Sequence, residues 1–507
     1  MNPCFAFTAL IALSLSGLIP AHAEPPKPDE KQSAAAPQKV DPISKKRTIN
    51  IDGKEISYTA TVGKIILKNK KDEPRASVFY TSYVRENAGK VADRPVMFAF
   101  NGGPGSSAVW LHLGMLGPRK LNLPGDGTQP ITPPARLMDN DQSIIDACDL
   151  VFIDPVTTGY SRGEGKTDEK EFHGLKEDVE SVGDFIRLWI TQNNRWSSPK
   201  YLCGESYGGI RAAGLATHLQ DRYGMSLNGV ILLSSLLDFR TLVETHGSPL
   251  SYQVFLPTFA TTALHHGKVR GERDALCREA REFAFGEYGL ALLKGNEITP
   301  EEFDRTANRL SELSGVSADL WKTHQLRMSP NVFRAELLRK EGKVLGRFDS
   351  RVAWDSTDRA ADSPEYDPSY SLAYQTFSTA MLTYLGDELG WKEDQPYEIL
   401  TSGVFPWNYG SDNRVVNMSE TLLGALHDNP RLRILVMGAH TDLATPPEGV
   451  YYSIRQMVGV SPGILKQFSY AEYAAGHMFY TNPPDLKKSR KDLLDFLNLR
   501  TSNPISP

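Results

Sequence analysis

Short apolar runs recur along this chain with helical patterns between them, at residues 96–100, 150–154, 201–203, 229–233, 432–437 and 466–470. Their apolar character is continuous rather than alternating, as in strands buried on both faces, and the helical stretches supply the crossovers that parallel neighbours require. Between the second and third runs, Val179, Val182, Phe185, Ile186 and Trp189 recur at helical spacing across residues 176–189. The pattern predicts an α/β fold with a mostly parallel central sheet flanked by helices. Two hairpin-like segments precede it, residues 48–58 turning at Asp52-Gly53 and residues 76–84. The alternation stops after Leu237, and residues 240–403 are charged and mainly helical in pattern, as at 272–285, 300–313 and 331–343. A helical block between two sheet strands is expected to be an inserted cap over the carboxyl edge of the sheet, where ligands bind in open α/β folds. The core is then expected in two parts, residues 47–239 and 404–502.

A chain of 507 residues has room for one such large domain with an insertion. Net charge is −5 and Lys and Arg are scattered, with no basic stripe interleaved with aromatics, so no nucleic-acid partner is expected. Residues 5–19 are almost wholly apolar or small, and Ala21-His22-Ala23 fits a small-x-small cleavage site. Residues 1–23 therefore read as a signal peptide of an exported protein, periplasmic or extracellular, although no Lys or Arg opens it. The stretch is too short for a stable membrane span. Residues 24–46, rich in Pro, Lys, Ala and Gln up to Asp41, read as a disordered linker. After cleavage Cys148, Cys203 and Cys277 remain, enough for at most one internal disulfide, and Cys203 is expected to be a buried inert thiol. Nothing in the sequence speaks to oligomeric state.

The run at 201–203 leads into Gly204-Glu205-Ser206-Tyr207-Gly208 and then a small-residue helical pattern. A serine between a buried strand and a helix sits on a sharp turn that thrusts its hydroxyl clear of the sheet. The pentapeptide alone is weak evidence, since in a chain this long it arises by chance about one time in six. A second copy, Gly159-Tyr160-Ser161-Arg162-Gly163, separates from the first by context. Its strand ends early, at Pro155-Val156-Thr157-Thr158, and a charge run follows instead of a helix. Ser161 reads as a loop residue and Ser206 as the nucleophile.

A serine nucleophile needs a base, and the base needs an orienting acid. In the α/β-hydrolase arrangement they follow in the order Ser, Asp or Glu, His, each after a strand. The run at 432–437 is followed by Gly438-Ala439-His440-Thr441-Asp442, and the run at 466–470 by Gly476-His477-Met478. Singly, such an Asp is usually a turn residue and such a His a core or surface imidazole. Together and in order, Asp442 and His477 are the expected acid and base. His440 precedes the acid and is left structural. An oxyanion hole needs converging backbone N–H groups. One is expected from Tyr207, the other from the loop Asn101-Gly102-Gly103-Pro104-Gly105-Ser106-Ser107 after residues 96–100. That loop lacks the endings of a phosphate cradle. No H-E-x-x-H or Cys/His ligand spacing occurs, so neither metal nor organic cofactor is expected.

Asn101 to Ser107, Leu116-Gly117-Pro118, Phe152-Ile153-Asp154-Pro155 with Gly159-Tyr160-Ser161, Gly204 to Gly209, and Gly476-His477-Met478 together resemble the serine carboxypeptidases over about residues 90–480. The resemblance implies release of C-terminal residues from peptides through an acyl-enzyme on Ser206. It implies Gly103 and Tyr207 as the oxyanion hole, Asn101, Gly102 and Glu205 as the holders of the substrate's terminal carboxylate, and Met478 as a pocket residue. A carboxylate can receive a carboxylate only if one is protonated. The family pairs this glutamate with a second, just before Leu-Gly-Pro, and has a tryptophan two residues before the asparagine. Here those positions are Met115 and Ala99. The departures leave an esterase or acyltransferase on the same triad as the alternative.

Overall fold

The computed structural model describes residues 41–245, 247–412 and 414–498. β1 (Ile43–Ile51) and β2 (Lys54–Lys68) form the first hairpin, with Asp52 and Gly53 both at positive φ (51° and 77°), as a two-residue hairpin loop requires. β3 (Pro74–Arg85) returns antiparallel to β2. Then come β4 (Val96–Phe100), β5 (Asp149–Ile153), β6 (Lys200–Glu205), β7 (Gly229–Leu233), β8 (Arg433–Ala439) and β9 (Phe468–Tyr473). The spatial order is β1-β2-β3-β5-β4-β6-β7-β8-β9, with a two-residue strand, Arg162–Gly163, paired beside β3. Every pairing from β5 across to β9 is parallel, and those among β1, β2, β3 and β5 are antiparallel.

The strands send successive side chains into two separate cores, which is why their sequence is continuously apolar. On one face Met97, Leu150, Tyr201, Ile231 and Leu435 pack with Leu493 and Phe496 of the helix Pro483–Asn498. On the other, Phe98, Val151, Leu202, Leu232 and Val436 pack under α1 (Leu175–Gln192) and α2 (Tyr207–Tyr223), through Phe185, Trp189, Leu215 and Leu219. Cys148, Cys203 and Cys277 are buried and form no disulfide with one another.

Several boundaries differ from expectation: β2 runs on to Lys68, past the expected hairpin end at 58, and residues 76–84, read as hairpin-like, lie in the single strand β3. β1 begins at Ile43, inside the stretch read as linker, because residues 43–51 pair antiparallel with β2 as an edge strand, whose exposed Lys45 and Lys46 discourage further pairing. The rest of that linker to residue 40, and the signal peptide, lie outside the described residues. The last strand is shifted toward the C-terminus, since Ser461 caps a helical turn at Pro462–Leu465. The helix expected to reach residue 343 stops at Glu336, and Gly342, at φ 70°, turns the chain into a short hairpin of Lys343–Leu345 with Ala353–Asp355.

The insertion between β7 and β8 behaves as two bodies of packing. Helices Leu250–His265, Arg273–Phe285 and Pro300–Ser314 enclose their own core around Phe255, Phe259, Leu310, Trp321 and Phe333. Helix Pro368–Thr383 and the turns to Trp391 instead send Phe377, Tyr384 and Trp391 into the first face of the sheet core. The return segment crosses the carboxyl edge, bridging Glu398 to Gly159, Leu400 to Ser106, Asn408 to Gly174 and Asn417 to Asp238. Among the described residues no helix is long and apolar enough to cross a membrane.

Candidate active site

β6 ends at Glu205 and α2 begins at Tyr207, so Ser206 alone makes the turn, at φ 62° and ψ −128°. Positive φ is costly for a residue with a side chain and persists only where the surroundings fix it. Here Ser206 N–H donates to the Leu233 carbonyl of β7 at 3.0 Å, and Gly209 N–H donates to the Ser206 carbonyl at 2.9 Å. The loop after β4 presses against the first N–H groups of α2. A Cβ at Gly102 would collide with the Tyr207 and Gly208 nitrogens, so only glycine lets the loop approach this closely. Gly103 follows, at φ 100°.

Asn101 is fixed from two sides. Its Oδ1 accepts from Leu111 N–H at 3.2 Å and its carbonyl accepts from Arg211 Nη1 at 2.6 Å. Arg211, on α2, is itself held by Asp178 of α1 at 2.8 Å, both side chains being buried. In the sequence the only trace of this pair is an arginine within the small and apolar first half of the helix, Tyr207 to Ala216.

His477 Nδ1 lies 2.8 Å from Asp442 Oδ2. Asp442 is fully buried, and its Oδ1 accepts the backbone N–H groups of Ala444 (2.8 Å) and Thr445 (2.9 Å). Thr445 Oγ1 adds a third partner, 2.9 Å from Asp442 Oδ2 and 2.7 Å from the Ser234 carbonyl. The His477 backbone is clamped between the Phe348 carbonyl (2.5 Å from its N) and the Ser234 hydroxyl (2.7 Å from its O). Burial opposes a charged imidazole, but Asp442 and then Glu205 outweigh it and hold the His477 pKa above its ordinary value, with Arg347 pulling the other way.

Glu205 is buried beside this pair. Its Oε1 is 3.9 Å from His477 Nε2, and its Oε2 accepts the Tyr480 hydroxyl at 2.9 Å. Burial pushes its pKa up to about 7, against the pull of His477, Tyr480 and Asn101. Met115 is buried in the sheet core, its carbonyl accepting from Asn140 at 2.7 Å, and Ala99 is wholly buried within β4. No sequence signal marked Tyr480 or Thr445, although each stands three residues after a candidate site residue, His477 and Asp442; the Tyr480 contact with Glu205 joins residues 275 apart.

Asn101, Gly102, Gly103, Glu205, Ser206, Tyr207, His477 and Met478 all line one cavity of about 580 Å³, and Asp442 stands behind His477 outside it. Trp110, Leu236, Phe348, Tyr370 and Phe405 form its apolar walls. Ser161 is elsewhere and buried, donating to the Asp154 carbonyl (2.6 Å) and accepting from Phe79 N–H (2.7 Å). His440 is buried as well, with Nε2 3.5 Å from Glu472.

A doubly covered parallel sheet with a serine on its strand-to-helix turn and a cavity at the carboxyl edge defines the α/β-hydrolase class. Within that class, residues 67–476 match the family model for serine carboxypeptidase, and the chain belongs to that family. Pheromone-processing carboxypeptidase KEX1 of Saccharomyces cerevisiae is 31% identical over 148 residues, 28% of this chain and 19% of the relative. The protein of the same name from Puccinia graminis f. sp. tritici is 29% identical over 188 residues, 36% of this chain and 25% of the relative. The match thus covers a quarter or less of each of these curated relatives. In fold, the chain resembles the crystal structure of Kex1(delta)p, a prohormone-processing carboxypeptidase from Saccharomyces cerevisiae, with TM-score 0.53 and 18% identity over 87% of this chain and 91% of that one.

Proposed function

We propose that this protein is an exported serine carboxypeptidase that removes C-terminal residues from peptides. The observation that carries this reading is the pairing on one cavity floor of Ser206 and His477 with Glu205, a buried carboxyl whose pKa is pushed up to about 7. A protonated Glu205 can donate to a substrate carboxylate, and Asn101 and Gly102 adjoin it, so a peptide's free C-terminus would be received beside the nucleophile. Ser206 Oγ attacks the scissile carbonyl while His477 Nε2 takes its proton, and the N–H groups of Gly103 and Tyr207 receive the developing oxyanion. His477 returns that proton to the leaving amine as the C–N bond breaks. Water, deprotonated by His477, then hydrolyses the acyl-enzyme and frees Ser206. Asp442 holds the imidazole tautomer and offsets its positive charge. Residues 240–403 act as the cap, and residues 1–23 as the export signal.

The test compares a blocked dipeptide bearing a free carboxylate with its C-terminal amide and a simple ester. The free acid is expected to turn over fastest, and Ser206→Ala to abolish turnover. Preference for the amide or ester would replace this reading with the second one, an esterase or acyltransferase. The apolar burial of Met115 and Ala99, at positions where the family resemblance implies a glutamate and a tryptophan, favours that second reading.

A further inference from the structure

The cavity walls carry a charged side chain that the proposed chemistry does not use. Arg347, exposed, follows the hairpin strand Lys343–Leu345 of the insertion and lines the cavity with Phe348 and Tyr370. Its guanidinium lies over the Phe348 ring, 5.5 Å from Cζ to centroid, and that ring is tilted against the His477 imidazole, 5.2 Å between centroids. Its backbone is pinned on both sides. Arg347 N–H donates to Asp367 Oδ1 at 3.0 Å, and its carbonyl accepts from Leu443 N–H at 3.1 Å, next to Asp442. The Asp367 carboxylate is already engaged by Ser369 and the start of its helix, with Arg334 3.7 Å away. Among the described residues, no carboxylate lies within ion-pair distance of the Arg347 guanidinium. The remaining ionisable groups on the walls are Glu205, His477 and the phenols of Tyr207 and Tyr370, so Arg347 is the one permanently charged side chain lining the cavity.

A cation without an ion-pair partner, laid against an aromatic ring on the wall of a largely apolar cavity, is a receptor for an anion. We propose that Arg347 forms a subsite for an acidic side chain of the substrate, so that peptides with Asp or Glu flanking the scissile bond are preferred and those with Lys or Arg there are disfavoured. The inference rests on the carboxypeptidase reading of the same cavity. The subsite is set apart from the place proposed for the terminal carboxylate by its contacts: Glu205 approaches the imidazole at Nε2 and is held by Tyr480, whereas the Arg347 guanidinium lies against the Phe348 ring. Among the described residues Glu205 is the only acidic group lining the cavity, and the guanidinium would repel a basic side chain.

The test measures kcat/KM on blocked peptides carrying Glu, Gln or Lys on either side of the cleaved bond, with wild type, R347Q and R347E. At one of the two positions Glu is expected to exceed Gln by about tenfold, the lower end for a charge-assisted hydrogen bond at a wet site, and Lys to fall below Gln. R347Q should bring the Glu-to-Gln ratio to near one, and R347E should reverse the order of Glu and Lys. Labelling of Ser206 by a fluorophosphonate and circular dichroism verify that each variant is folded. Calorimetry of the same peptides with Ser206→Ala protein reads binding without turnover. Failure to cleave any peptide would sink the carboxypeptidase reading alone. Equal binding of Glu and Gln peptides by Ser206→Ala, or a Glu preference that survives R347Q, would overturn the Arg347 subsite.

Discussion

Tyr480 donates its hydroxyl to Glu205 Oε2 at 2.9 Å, and that bond leaves Oε1 as the oxygen facing His477 Nε2. The phenol reaches this position because Gly114 has no Cβ to meet its ring, one residue before Met115. Tyr480 thus engages one glutamate oxygen while the other is turned toward the imidazole.

A hydroxyl that donates to a carboxylate favours its ionised form, so removing it should raise the Glu205 pKa beyond about 7. Tyr480→Phe is expected to move the alkaline limb of kcat/KM for free-acid peptides upward by about half a pH unit. The limb for amide-terminated substrates should stay in place. An unchanged free-acid profile would remove Glu205 from carboxylate recognition.

The same carboxyl makes stability pH-dependent. Its folded pKa, about 7, lies above the ordinary 4.5, so the folded state holds a proton the unfolded chain has released. Stability from this group is therefore fully present below pH 4.5 and lost as pH rises to about 7. Glu205→Gln should be the more stable protein at pH 8 by on the order of 3 kcal/mol, with the gap closing toward pH 5. Paired denaturant melts at the two pH values measure it.

Asp442 has no competing role at the cavity surface, since it lies buried behind His477. Asp442→Asn presents an amide to Nδ1 and permits the wrong tautomer, and kcat should fall by about 10⁴ with KM little changed. Steady-state kinetics on one peptide decide this, and a loss below tenfold would displace Asp442 as the orienting acid.

Arg211 joins α1, α2 and the Asn101 loop through one guanidinium. Arg211→Met leaves Asp178 buried and unpaired and should cost about 3–5 kcal/mol of stability. Adding Asp178→Leu should restore most of it by removing that charge. The double variant still lacks the donor to the Asn101 carbonyl, so its kcat/KM should stay depressed, which separates loop positioning from global stability.

The strands were legible because a run buried on both faces has no polar interruptions, as β4 and β7 illustrate with both ends as expected. The serine turn was legible from its glycines, and Asp442 and His477 from their order after β8 and β9. β9 begins at Phe468 rather than at the expected Lys466 because the helical turn that Ser461-Pro462 opens runs through Leu465, and the strand continues past residue 470 to Tyr473. Tyr480, Thr445 and the Arg347–Phe348 pair left no such trace. Their roles come from elements far apart in the chain brought together by packing, which no local period records.

The segment from Glu398 to Asn417 ties down the loops that follow β4, β5 and β7, and Thr401 N–H donates to the Gly105 carbonyl at 2.9 Å. A nascent chain emerging from the ribosome already contains Ser206 and the glycine loop before it has the segment that anchors them. Asp442 and His477 are synthesised later still. On the proposed reading, hydrolytic competence in this order of assembly waits until the chain has been made through His477, so translation itself would withhold the partners of Ser206 until the segment around them is in place.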